Sequence, residues 1–168
     1  MLRKGRDAEK SCKIEDVVAA HLEATSRQFA EREAFFFSEE MIRLSYSQLR
    51  QGMDDVAKAL MEIGLQKGDH LAIFSANCSR WLFLLLGAAK IGVVIVPVNT
   101  NYRSEEIKYI LKQSNVQALF LMPHLRGKDT GRMASRFLEK EEKLENLRYV
   151  ISMADQSETH VGWLDFMA

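Results

Sequence analysis

The side chains able to do chemistry are few and dispersed. His21, His70, His124 and His160 could each ligate a metal or carry a proton near neutral pH. They lie without metal-ligand spacing, so they read as surface or hydrogen-bonded histidines. Ser75 and Ser79 sit outside any GxSxG elbow, so neither reads as an activated nucleophile. Cys12 and Cys78, the two cysteines, form neither a CxxC pair nor part of a ligand cluster, a usage suited to a reducing cytoplasm. Gly127 and Gly131 in LRGKDTGRM come nearest to a phosphate loop, whose backbone amides would cradle negative charge. That stretch lacks dense glycine and no strand-to-helix fingerprint frames it, so no phosphate site is expected there. The run from Glu139 to Lys143 alternates signs as a solvated helix face does. Asn77 is placed to cap a helix. Arg103 reads as a solvated residue near a helix start, and because that position is electrostatically poor for a cation the alternative is a partner anion.

Composition narrows the classes of function. The 168 residues suit one domain able to bury a core. The 23 basic side chains equal the 23 acidic ones, so no overall field recruits nucleic acid or an anionic membrane, and neither partner is expected. Trp81 to Val98 is long enough to span a bilayer. Lys90, Gly92 and the β-branched run Val93 to Val96 before Pro97 instead describe a helix ended by glycine and then a buried strand. Asp16 and Glu23 interrupt the segment after the basic start, so no secretion signal is read there.

The elements that must position these residues alternate between helix and strand. A helix is expected over 14–29, with Ile14, Val17, Val18, Leu22 and Phe29 on one face. Short strands at Ala34–Phe37 and Ile42–Leu44 flank a turn at Ser38-Glu39-Glu40. Ser45 and Gln48 have capping-box spacing, Leu44 and Leu49 form a hydrophobic staple, and Leu49, Met53, Val56, Leu60 and Ile63 continue one stripe. Gly64 ends that helix, with Leu65 folding back toward Leu60. Leu71–Phe74 reads as a strand, Trp81–Ile91 as a helix apolar nearly all round with Trp81 buried, and Val93–Val98 as the next strand. Ser104 reads as the cap of a helix with Glu105 and Glu106 in its first turn. Strands at Ala118–Met122 and Tyr149–Ser152 enclose an amphipathic segment around Met133–Leu144. The fold class is α/β, a largely parallel sheet covered by helices on both faces.

The order LSYSQL, MEIGLQKGD and HLAIFSANCSRWLFLLLGAAKIGVVIVPVNTNYRSEEIKYIL resembles the N-terminal subdomain of AMP-forming acyl-CoA synthetases and related adenylate-forming ligases. The likeness is close over roughly residues 14–125 and loose over 126–168. It implies a tail at 1–13 and an incomplete N-terminal subdomain over 14–168. The family's enzymes join a carboxylic acid to ATP, giving an acyl adenylate and pyrophosphate, and pass the acyl group to coenzyme A. The resemblance thus implies ATP, Mg and CoA for the intact enzyme, with none bound by this segment. The phosphate loop, the nucleotide-binding acidic and aromatic residues and the mobile C-terminal domain have no counterpart here. The segment is therefore expected to be inactive alone, with no catalytic residue of its own, and to pack against the remainder of the ligase. The implied setting is cytoplasmic fatty acid metabolism, with self-association through an exposed apolar face when that remainder is missing. In the family the loop after KIGVVIVPVN lies near the mouth of the CoA tunnel, and relatives often carry a proline and a basic residue in it. Here it is Asn99-Thr100-Asn101-Tyr102-Arg103, which makes Arg103 the implied contact for a CoA phosphate. A standalone non-catalytic binding or regulatory module derived from such an enzyme is the alternative.

Overall fold

The computed structural model describes residues 18–139 and 143–168. The tail, Cys12, Ile14, Val17 and most of the Glu139–Lys143 run lie outside the described residues. Helix α1 (Val18–Gln28) leads to an antiparallel hairpin of β1 (Glu33–Phe37) and β2 (Ile42–Ser45). Helix α2 (Tyr46–Glu62), strand β3 (His70–Phe74), helix α3 (Ser79–Ile91), strand β4 (Val94–Pro97), helix α4 (Ser104–Gln113) and strand β5 (Val116–Leu121) follow. A second small hairpin, β6 (His124–Leu125) and β7 (Lys128–Asp129), runs into α5 (Thr130–Ser135), and β8 (Tyr149–Ser152) and α6 (Trp163–Phe166) complete the described chain.

The local signals in the sequence produce the ends of α2. The Ser45 hydroxyl accepts the Gln48 N–H at 3.2 Å and the Gln48 side chain accepts the Ser45 N–H at 2.9 Å, a complete capping box. At the other end Gly64 adopts φ 80° and donates to Met61 O at 2.9 Å, while Leu65 N–H reaches back to Leu60 O at 3.0 Å. This pair of bonds is a Schellman motif, and it buries Leu65 beside Leu60.

The main sheet is parallel throughout, in the order β4-β3-β5-β8. Because side chains alternate across a strand, Leu71, Ile73, Ala118 and Phe120 meet α2, α3 and α6 on one face, while Ala72, Phe74, Leu119 and Leu121 meet α4 and α5 on the other. The sheet is thus covered on both faces, as expected for an α/β fold. A third cluster joins α1 and the first hairpin to α2 and α3 through Leu22, Leu44, Leu49, Met53 and Leu86. Lys90 clamps the same three helices, donating to Glu23 at 2.9 Å and to Asp54 at 2.7 Å.

Several expectations are corrected. Val93–Val98 is not a strand buried on both faces: β4 forms the sheet edge, paired only with β3, and Val94 is 44% exposed. Pro97, with no N–H to give a second neighbour, suits that edge. Trp81 is half-buried against the core rather than enclosed, whereas Leu84 on the same helix is fully buried. Val18 is 51% exposed, so the buried face of α1 is carried by Leu22 and Ser26. The amphipathic segment is shorter than expected: α5 passes into a 3-10 turn over Arg136–Leu138, and Glu139 is already outside the helix.

Candidate functional site

In a parallel sheet every carboxyl end falls on one rim. Here the connection leaving β3 runs to β4 and the one leaving β5 runs to β8, on opposite sides. The strand order therefore reverses between β3 and β5, where folds of this class form their ligand crevice. Four loops border the rim: 75–78 after β3, 98–103 after β4, 122–129 after β5 and 153–162 after β8.

Helix N-termini on such a rim attract anions, and here the chain supplies the anions itself. The Glu40 carboxylate, from the turn of the first hairpin, accepts the Ser79 N–H at 2.7 Å and the Ser79 hydroxyl at 3.2 Å at the start of α3. The Glu106 carboxylate accepts the Arg103 N–H at 2.8 Å at the start of α4. The Asp129 carboxylate accepts the Arg132 N–H at 2.8 Å at the start of α5. Two cap assignments made from sequence change accordingly. Asn77 is exposed and the N-cap of α3 is Cys78, because Glu40 does the capping from outside the helix. Ser104 is the first residue of α4 rather than its cap, with Arg103 at the cap position and the Ser104 hydroxyl buried without a hydrogen-bond partner among the described residues.

The loop carrying Arg103 is built by asparagines. Asn99 accepts the Asn101 N–H on its side-chain oxygen at 2.9 Å and the Tyr102 N–H on its carbonyl at 3.0 Å. The Arg126 guanidinium, from the β6–β7 turn, donates to the Asn101 side-chain oxygen. Arg103 itself is exposed, and no carboxylate among the described residues pairs with its guanidinium. Nothing in the sequence pointed to Glu40, Asn101 or Arg126, since their partners lie far along the chain.

The remaining candidates hold structural bonds. The Ser75 hydroxyl donates to Ala76 O at 2.7 Å, and the Ser79 hydroxyl is spent on Glu40. The His70 ring is bonded to Ser114 O and the His160 ring lies 3.0 Å from Gly131 O. No group of metal-ligating side chains forms among the described residues. Gly127 occupies a hairpin turn at φ 73° and Gly131 lies in α5. The resolved pKa shifts lie away from the rim. Lys90 is raised, first by its hydrogen bond to Asp54 and then by that to Glu23, and Glu23 is lowered by its hydrogen bond to Lys90. No described helix is long and apolar enough to cross a membrane.

Sheet order and crevice position define a doubly wound α/β subdomain. Solved structures carry the same fold. A chain from Rhodopseudomonas palustris CGA009, assigned by name as a long-chain-fatty-acid CoA ligase, superposes with TM-score 0.77 at 23% identity, covering 89% of this chain and 36% of that one. A Mycobacterium tuberculosis fatty acyl CoA synthetase gives TM-score 0.73 at 21% identity over 81% of this chain and 26% of its own. At those identities the likeness shows the fold alone.

The family follows from sequence: the chain belongs to the AMP-binding enzymes, whose profile matches residues 22–165. A protein of Bacillus subtilis (strain 168) assigned by name as an acyl-CoA synthetase, YngI, is 41% identical over 114 residues, which are 68% of this chain and 21% of that protein. The mouse medium-chain acyl-CoA ligase ACSF2, named as mitochondrial, is 37% identical over 100 residues, 60% of this chain and 16% of its own. The chain thus spans only about a sixth to a fifth of the length of these curated relatives.

Proposed function

We propose that this chain is the N-terminal portion of an acyl-CoA synthetase, forming one wall of the acyl and CoA sites while the remainder of the ligase supplies the phosphate loop. In the intact enzyme the carboxylate of the acid attacks the α-phosphorus of ATP and displaces pyrophosphate. The CoA thiol then attacks the acyl carbonyl and displaces AMP. Family membership supports the reaction class, and the relatives named as acyl-CoA synthetases and ligases support the acid and CoA substrates. The observation that supports the division of labour is that Glu40 and Asp129 each take a backbone amide at the starts of α3 and α5, and that Glu106 adds a carboxylate at the start of α4. A triphosphate brought to those ends would meet a carboxylate at each of them. The segment alone is therefore inactive, and ATP, with its Mg, is bound elsewhere in the ligase.

Arg103 is suited to a CoA phosphate, because its guanidinium is exposed, unpaired by a described carboxylate and able to offer a charge-assisted fork. The exposed apolar side chains Phe35, Phe36, Met41 and Ile42 of the first hairpin and Val94 of the sheet edge are surfaces for the remainder of the ligase to cover. In its absence they favour self-association. The cysteine usage supports a cytoplasmic setting, and the relatives named as acyl-CoA synthetases and ligases support a role in fatty acid metabolism. The test is Arg103→Ala in the full ligase carrying this segment. The apparent KM for CoA rises by a factor worth about 1–3 kcal/mol while acid-dependent exchange of pyrophosphate into ATP is unchanged. Equal loss of both half-reactions, or no change in either, overturns the role of Arg103. Exchange activity in the isolated chain overturns the division of labour.

A further inference from the structure

We infer that Arg126 is a positioning residue for the Arg103 loop, acting as a strap across the crevice; the inference rests on the reading of Arg103 as a CoA phosphate contact. Asn101 follows β4 and Arg126 follows β5, and in the sheet order β3 lies between them. The hydrogen bond from the Arg126 guanidinium to the Asn101 side chain therefore joins loops that leave strands two spacings apart, about 10 Å, on either side of β3. It lands two residues before Arg103, on a loop that Asn99 holds from within and Glu106 holds at the Arg103 N–H.

The strap is anchored at its other end. Arg126 and Gly127 have φ 52° and 73°, the two positive values of a type I′ hairpin turn. Such turns favour asparagine or aspartate before glycine, and an arginine held in the left-handed region is uncommon. The base of this hairpin is fastened beneath it: Thr130 N–H and Gly131 N–H both donate to Pro123 O, at 2.9 and 3.1 Å, and the buried Thr130 hydroxyl donates to Met122 O. Arg126 therefore reaches Asn101 from a fixed backbone.

Arg126→Asn separates positioning from folding, because asparagine before glycine improves a type I′ turn while removing the guanidinium. In the 168-residue chain, backbone amide relaxation and hydrogen exchange of residues 99–103 should show a looser loop in Arg126→Asn and in Asn101→Ala, with no fall in thermal stability for the former. In the full ligase, Arg126→Asn should raise the KM for CoA about two- to tenfold, the range of one net hydrogen bond, with the adenylation half-reaction unchanged. Combined with Arg103→Ala it should add nothing, since it acts through that residue. An unaltered loop in Arg126→Asn overturns the strap whatever Arg103 does. A loosened loop with an unchanged KM, additivity with Arg103→Ala, or equal loss of adenylation overturns its role in CoA binding. An inert Arg103→Ala alongside a loosened loop refutes the CoA contact while leaving the strap established.

Discussion

Gly87 lies where α2 and α3 touch, and its replacement by alanine tests that contact directly. A Cβ at Gly87 would stand 2.7 Å from Val56 Cγ1 and 3.0 Å from both Val56 Cβ and the Ala57 backbone nitrogen. Carbon atoms pack best at about 3.5–4.0 Å, so close to 1 Å must be opened. Val56 is 1% exposed and its neighbours Leu60 and Leu84 are fully buried, so the valine has no solvent to turn into. Ala57 contributes backbone, which moves only with the helix. Overpacking of this kind costs about 1–3 kcal/mol. Alanine in a helix interior returns up to about 1 kcal/mol of the flexibility that glycine costs. The expected net loss is about 1–2 kcal/mol, which for a chain of this size lowers Tm by roughly 2–8 °C. Thermal unfolding followed by circular dichroism measures it, and Val56→Ala in the Gly87→Ala background should recover part of the loss through a coupling of about 0.5–3 kcal/mol. Gly52→Ala should be milder, although its Cβ would collide with the Phe83 side chain, because that atom belongs to a half-buried ring able to swing. A Gly87→Ala variant as stable as the parent would show that α2 and α3 do not meet at this point.

The Lys90 clamp should give stability a defined pH window. Glu23 is lowered from 4.5, so its contribution is present above that value and is lost as the pH falls through the folded one. Lys90 is raised from 10.5, so its contribution is complete below that value and is lost as the pH rises through the folded one. The stability difference between the parent and Lys90→Met should be widest between these limits; a difference that stays constant from about pH 3 to pH 11 would refute the clamp. On α3, Leu84→Ala should cost about 2–5 kcal/mol in urea unfolding because the site is fully enclosed. Trp81→Ala should fall below the roughly 3–5 kcal/mol of an enclosed tryptophan, since part of that surface already meets water. A reversed order of these losses would mean the helix is rotated from its observed setting.

What the sequence determined was local or periodic. The Ser45–Gln48 box, the Gly64 stop and the Leu44–Leu49 staple involve residues within a turn or two of one another, so backbone geometry brings the partners together once a helix starts. The apolar run in β3 likewise marks a strand, and here it is packed on both faces. Residue type and spacing could not specify strand order. Val93–Val98 has the composition of a central strand, yet its crossover from α3 lands it at the edge.

The candidate site was legible only as far as Arg103 and its loop. The cap on α3 comes from Glu40, 39 residues earlier in the chain, and it displaced the local reading of Asn77. The strap from Arg126 reaches Asn101 across 25 residues. These contacts exist because the sheet gathers the ends of β3, β4 and β5 at one rim, and that juxtaposition depends on how the connecting helices cross the sheet. No residue's immediate neighbours in sequence encode that path, so the tertiary structure alone decided which carboxylate meets which helix and which arginine reaches which loop.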